Sequence, residues 1–173
     1  MLREAFGHHA WATRQLLDHC SSLPTELLDR PVDATYGSIL DTFRHLVDAD
    51  ASYLHRISGG DLGEMVDDDR ALSFDDVVAL HERNAAGWET VLERGADPDA
   101  AIVHERSDGT VRRATAGVRL AQALHHGSDH RSQISTALTL LGHPAGEFDV
   151  WTWGEAVGLA SVSPRTSGTS SPR

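Results

Sequence analysis

The sequence predicts an all-α protein: a four-helix bundle with a long crossover containing a short β-hairpin, and a short C-terminal helix. Four long segments repeat their apolar residues with the 3.6-residue period of a helix. Between the third and the fourth, apolar and polar residues alternate around Asp108-Gly109, the pair most typical of a tight hairpin turn. The crossover argues against a simple up-down-up-down connection. We expect one folded domain, residues 1–160, and a disordered Ser/Pro/Gly-rich tail, residues 161–173.

The first helix is predicted over residues 2–20, because its apolar residues share one face and Pro24 lies beyond its end. His8 and His9 fall in its second turn, and we expect both at the edges of the buried face. A loop that contains Gly37 follows.

The second helix is predicted over residues 38–57, with a broad stripe of Ile, Leu, Phe and Val. His45 lies beside this stripe, on the side that carries Ser38, Asp41 and Asp48. The helical wheel leaves two interpretations open: a surface histidine, or a histidine that lines a polar cavity at the end of the bundle. By itself the wheel favours the surface.

The segment from 58 to 70 is rich in Gly and then in Asp, which is typical of a solvated loop. Its run Asp67, Asp68 and Asp69 lacks the alternating spacing of a calcium-binding loop, so we interpret it as surface. The third helix is predicted over residues 73–94. Ser73 is a favourable N-cap there.

The third helix is further stabilised if Asp76 completes a capping box with its N-cap. Residues 95–116 then form the predicted hairpin region, which must pack on the helices because an isolated hairpin is only marginally stable. Thr115, at its end, is placed to cap the helix that follows. After Pro144, Trp151 and Trp153 suggest a short closing helix whose tryptophans cover the bundle.

The fourth long helix, predicted over residues 120–143, carries the strongest chemical signal in the chain. His126 and His130 are four residues apart, so they share a face whose other residues are apolar, while His125 points away. Buried imidazoles need partners. Metal ligation is one explanation, because His at i and i+4 presents two ligands from one helix. A solvated or hydrogen-bonded pair is the alternative that this spacing leaves open.

Composition excludes several classes of function. The chain has 26 acidic and 15 basic residues, a formal net charge of −11, and no Lys/Arg-rich run, so we expect no nucleic-acid partner. The single cysteine, Cys20, allows no internal disulfide and fits a reducing compartment. We find no signal peptide and no apolar run of 18 residues, so we expect a cytoplasmic protein that does not enter the membrane.

Three segments resemble the DinB/YfiT-like family of bacterial metal-binding bundles over about residues 2–157. They are HHAWATRQLL in the first helix, LDTFRHLVDADASYL in the second, and ALHHGSDHRSQI followed by LGH in the fourth. The most specific piece is H-G-x-x-H-R-x-Q, which starts at His126 and includes His130. The resemblance implies a divalent-metal site with one histidine on the second long helix and two on the fourth, here His45, His126 and His130. Where the family usually has Asn after Trp-Ala, this chain has Thr13.

The same resemblance implies a function. It points to a divalent metal (Zn, Ni or Fe) and to a metal-dependent transferase that activates a low-molecular-weight thiol, or water, to attack a small electrophile. Three protein ligands leave metal positions open, as in catalytic sites. A non-catalytic metal-dependent binding or stress-response module is the alternative, and a structural dimer with remnant histidines is a third. We also expect a homodimer and a small-molecule substrate. The residues indicate no general base, so whether the protein is an enzyme stays open.

Overall fold

Six helices and one two-stranded sheet make up the part of the chain that this computed structural model describes, residues 1–33, 35–65, 71–106 and 108–163. In chain order they are α1 (Leu2–Cys20), α2 (Thr25–Leu28), α3 (Ile39–Ile57), α4 (Phe74–Glu93), β1 (Ala101–Glu105), β2 (Val111–Thr115), α5 (Ala116–Leu140) and α6 (Val150–Ala156). This confirms the predicted fold class: a bundle of four long helices, a hairpin in the crossover and a short C-terminal helix.

The four long helices are not connected around the bundle in simple sequence order. Helix α1 packs against α4 and α5, and α3 packs against the same two helices. Helices α1 and α3 therefore occupy opposite corners, as do α4 and α5. The chain crosses the bundle twice, once through α2 and once through the hairpin, so the expectation of a crossover topology is confirmed.

Local side-chain caps explain where three of the long helices begin. Ser38 and Asp41 form a capping box at the start of α3, and Ser73 and Asp76 form the predicted one at α4. The Thr115 side chain accepts a hydrogen bond from the Val118 backbone, as expected. Helix α5 therefore begins at Ala116, directly after this cap and four residues before the stretch 120–143 whose periodicity predicted it.

Three further details differ from the sequence expectation. Helix α5 ends at Leu140 instead of reaching 143, because Gly142 turns the chain with a φ of +83°. The short helix α2 lies in a segment that was expected to be a loop. Trp153 is buried on Gly7, but Trp151 is 75% exposed and does not cover the bundle, since two positions along a helix place it on the opposite side.

The crossover hairpin forms as predicted. Strands β1 and β2 are antiparallel, and their register pairs Ala101 with Thr115 and Glu105 with Val111. Gly109 has a φ of +77°, the left-handed conformation that the turn requires and that glycine adopts without strain. The hairpin folds back onto α3 and α5.

The core consists of two apolar clusters that lie at different heights in the bundle. The larger cluster includes Leu16, Phe43, Leu80 and Leu138, and the smaller one includes Phe6, Leu54, Trp88 and Leu120. Between them each long helix contributes buried polar side chains, which we call the buried polar layer: His9, Thr13, Asp50, His81, Asn84 and Arg131. Such a layer is costly unless its members satisfy one another.

No helix in the described part of the chain is long and apolar enough to cross a membrane. Two expectations lie outside the described residues. The acidic run Asp67, Asp68 and Asp69 is one, and the other is most of the tail, residues 164–173.

Candidate metal centre

The structure brings the three histidines from α3 and α5 together at the height of the buried polar layer. Nε2 of His126 lies 3.0 Å from Nε2 of His45 and 3.1 Å from Nε2 of His130. One ligand atom from each ring lies within 4.8 Å of those of the other two. We call these residues the histidine cluster. His125, the neighbour that was predicted to point away, is exposed.

Helix geometry accounts for this convergence. His126 and His130 are one turn apart on α5, so their rings project from the same face. Helix α3 packs alongside α5 and supplies His45 from its second turn. The wheel-based preference for a surface position at His45 is therefore wrong: the side chain is partly buried, and it faces a neighbouring helix that a single-helix wheel does not include.

Hydrogen bonds to Nδ1, the ring nitrogen that faces away from the cluster, fix the orientation of His130 and His45. Nδ1 of His130 lies 2.9 Å from Oε1 of Gln133, an atom that can only accept. The proton of neutral His130 is therefore on Nδ1, and Nε2 presents its lone pair to the cluster. Nδ1 of His45 lies 3.0 Å from the hydroxyl of Tyr36, whose ring stacks on His45 with centroids 4.3 Å apart.

Tyr36 is a part of the site that sequence reasoning missed. It lies in the loop before α3, where no periodicity points toward the cluster, and it also contacts His130 edge-on at 5.2 Å. A tyrosine two residues before the Ser38 N-cap was the only available signal.

His126 is held in its neutral form. Burial, and to a smaller degree the neighbouring His130 and His45, lower the pKa of His126 to about 4, against smaller opposing effects of Asp50 and Asp129. At neutral pH His126 is therefore uncharged, the protonation state in which imidazole binds metals.

The donor set fits a divalent cation better than it fits hydrogen bonding alone. Nε2 of His126 has one proton to donate or one lone pair to accept with, so hydrogen bonding satisfies only one of its two close contacts. A single cation would satisfy all three nitrogens. Two nitrogens bound to one tetrahedral zinc at 2.0–2.1 Å are about 3.3 Å apart, close to the separations found here. Nδ1 of His126 is buried and has no hydrogen-bond partner within the described residues.

In the adjoining buried polar layer, His9 was expected at the edge of α1 but is 1% exposed. Nη1 of Arg131 donates to Nδ1 of His9 at 3.1 Å, so the proton of neutral His9 is on Nε2, which donates to Oδ2 of Asp50 at 2.7 Å. Arg131 also contacts Thr13 at 3.3 Å. The polar partners on three helices explain why a histidine is tolerated at this core position.

Gly127 makes room for this arrangement. A Cβ atom at Gly127 would lie 2.3 Å from Cε1 of His9 and 3.0 Å from Nη1 of Arg131. The glycine and the arginine of the H-G-x-x-H-R motif thus pack in the buried polar layer, and the two histidines of the motif belong to the histidine cluster. Burial lowers the pKa of Arg131 to about 10, with Asp50 opposing, so its guanidinium stays charged at neutral pH.

Fold and cluster together define a helical bundle with a three-histidine site between two of its helices. The chain belongs to the DinB family, whose sequence model matches residues 1–156. It is also similar to Protein DinB of Bacillus subtilis (strain 168), with 18% identity over 151 residues that cover 83% of this chain and 88% of that protein. These findings confirm the family resemblance that the motifs indicated.

Proposed function

We propose that His45, His126 and His130 bind one divalent metal ion, and that the protein uses it to activate a low-molecular-weight thiol, or water, for attack on a small electrophile. The observation that carries the proposal is the convergence of three imidazole nitrogens on one point. A divalent ion in an open site can lower the pKa of a thiol or water and polarise an electrophile.

The residues around the cluster support this proposal by preparing the ligands. Gln133 holds the proton of His130 on Nδ1, which leaves Nε2 to bind. Tyr36 contacts Nδ1 of His45 and packs on its ring, so the side chain has little freedom to turn away. Three nitrogen ligands suit Zn, Ni or Fe, and a site to which the described residues supply three ligands leaves room for a small molecule.

Under this proposal the reacting thiol is not the protein's own. Cys20 is the one cysteine of the sequence, and it is fully buried in the larger apolar cluster. Burial raises the pKa of its thiol to about 12, so almost none of it is thiolate at neutral pH. A thiol-dependent reaction therefore requires a separate low-molecular-weight thiol.

The test is consumption of a chromogenic electrophile, such as 1-chloro-2,4-dinitrobenzene, with glutathione or cysteine as the thiol. Zinc-, nickel- or iron-loaded protein should accelerate the reaction above the uncatalysed rate. His126→Ala should abolish the acceleration, and His125→Ala, which changes an exposed neighbour, should retain it. Metal binding without acceleration by any thiol or by water would favour the non-catalytic binding module instead.

We also propose that the protein acts as a homodimer on a small-molecule substrate. Apolar side chains of α6 and the residues after it support this, because Trp151 is 75% exposed and Leu159 is 67% exposed. Light scattering at micromolar concentration should give twice the 18.8 kDa chain mass. A mass of one chain at that concentration would count against the dimer.

A further inference from the structure

Three arginines gather where the hairpin folds onto α3 and α5. Arg119 on α5 is only 5% exposed, and its Nη2 donates to Nδ1 of His104 at 2.8 Å. Arg112 is paired with His104 across the two strands, so both side chains lie on the same face of the hairpin. Arg56 on α3 is partly buried and donates to the backbone carbonyl of Ser52 at 3.0 Å. We call Arg56, Arg112 and Arg119 the arginine cluster.

Among the described residues, the arginine cluster has no ion-pair partner. No carboxylate of residues 1–33, 35–65, 71–106 or 108–163 forms an ion pair with any of its guanidinium groups. Glu105 in β1 lines the same cavity as Arg56 and His104, but it forms no ion pair with any of the three guanidinium groups. In a chain with a net charge of −11, three neighbouring guanidiniums without an ion pair to any described carboxylate are an unusual arrangement.

This arrangement is electrostatically unfavourable without a ligand. Burial lowers the pKa of Arg119, and the positive charges of Arg56 and Arg112 lower it further. A guanidinium nitrogen can only donate a hydrogen bond. Nε of Arg119 is buried and has no acceptor among the described residues. A group that accepts hydrogen bonds and carries negative charge would satisfy both deficits.

The arginine cluster lies along the same helices as the histidine cluster. Arg119 is seven residues before His126, two turns along one face of α5, or about 10 Å along the helix axis. Tyr53 connects the two places: its ring contacts that of His126 with centroids 5.9 Å apart, and it is one turn before Arg56 on α3. A cavity of about 330 Å³ is lined by Arg56, by His104, which is the hydrogen-bond partner of Arg119, and by Glu105.

We propose that the arginine cluster binds an oxyanion group, a carboxylate or a phosphate, on the small molecule that reaches the histidine cluster. The identity of this ligand as a substrate or a thiol co-substrate rests on the function proposed above. The binding of an anion does not depend on that function. Guanidiniums pair with both oxyanions through two parallel hydrogen bonds, so the cluster recognises their shared geometry and charge. The ligand then carries its anionic group about 10 Å from its reacting atom, the distance set by two helix turns.

The experiment is calorimetric titration of inorganic phosphate, and separately of succinate, into the full chain. Metal is first removed with a chelator, and the chelator, itself a polycarboxylate, is removed by desalting. Sodium chloride keeps the ionic strength constant. The key variant is Arg112→Gln, because the Arg112 side chain is exposed and contributes nothing to the core. Its matched control is Arg113→Gln, which removes the same charge from the adjacent residue on the opposite face of the hairpin.

We expect saturable binding of at least one of the two anions by the wild-type chain, and the one that binds identifies the group. Arg112→Gln should weaken it about tenfold, the effect of losing one charge-assisted hydrogen bond, while Arg113→Gln changes it less than about twofold. Binding of neither anion, or equal weakening by both variants, would overturn the proposal. His126→Ala should bind the anion as the wild type does, so failure of the metal proposal would be recognised separately.

Discussion

Replacing Gly127 with alanine tests whether the buried polar layer is built around the missing side chain. The new Cβ would lie 2.3 Å from Cε1 and 2.7 Å from Nδ1 of His9, far inside van der Waals contact. His9 is 1% exposed, so its ring cannot move without leaving Asp50. Disrupting a buried pair of this kind costs about 3–5 kcal/mol.

Helix propensity acts in the opposite direction, because alanine is favoured over glycine inside a helix by about 0.5–1 kcal/mol. The net expectation is a loss of about 2–4 kcal/mol in the free energy of unfolding. For a domain of this size that corresponds to a melting temperature lower by about 5–15 °C. Circular dichroism melting and urea titration measure both quantities.

Two controls separate the clash from a general effect of substitution on α5. Ser128→Ala changes the adjacent exposed residue and should alter stability by less than about 0.5 kcal/mol. In a His9→Ala background the clash with His9 is absent and the remaining 3.0 Å approach is to the end of the Arg131 side chain, which can shift, so Gly127→Ala should be neutral or stabilising by up to about 1 kcal/mol. If Gly127→Ala is also neutral or stabilising in the wild-type background, the proposed clash with His9 is refuted.

Three further predictions concern other buried groups. Burial lowers the pKa of His81 from 6.5 to about 4, and the charge of Asp50 opposes this shift. As pH falls below 6.5, the unfolded chain binds a proton at this histidine before the folded chain does. The free energy of unfolding contributed by the neutral side chain is therefore present above pH 6.5 and lost as pH falls toward 4. Between pH 7.5 and 4.5 the wild type should therefore lose about 2–3 kcal/mol more than His81→Gln in urea titrations; equal losses would contradict this. Trp153→Ala should cost about 3–5 kcal/mol and Trp151→Ala less than about 0.5, measured by urea titration, and similar costs would mean that α6 packs differently. Iodoacetamide should alkylate Cys20 at least about 100-fold more slowly in the native chain than in denaturant, as mass spectrometry would show, and rapid native labelling would contradict its burial.

Local signals in the sequence predicted most of the fold. The apolar periods of the four long helices, the Ser73 capping box and the Asp108-Gly109 turn each depend on residues that are neighbours in the chain. Such interactions form in the same way whatever the rest of the molecule does. The short helix α2 lies in a segment without a long apolar period, so no such signal indicated it. The error at Trp151 was one of helix geometry, because residues two apart in a helix cannot both face the bundle.

The candidate site was predictable only in part for the same reason. His126 and His130 are one helix turn apart, so their spacing alone suggested a joint role. His45 comes from another helix, and only the family resemblance connected it with them. A helical wheel also could not predict that His9 is buried, because its partners Asp50 and Arg131 belong to α3 and α5. The arginine cluster likewise requires the hairpin to fold back onto the helices.

The most direct test of the central claim is the metal content of purified chains, measured by inductively coupled plasma mass spectrometry. The proteins are the wild type, His45→Ala, His126→Ala, His130→Ala and, as control, His125→Ala, all produced with zinc, nickel and iron available. We expect about one ion per chain in the wild type and in His125→Ala, and less than about one third of that in each of the other three, since each loses one of three ligands. Equal metal content in all five proteins, or an equal loss in His125→Ala, would contradict a metal centre formed by His45, His126 and His130.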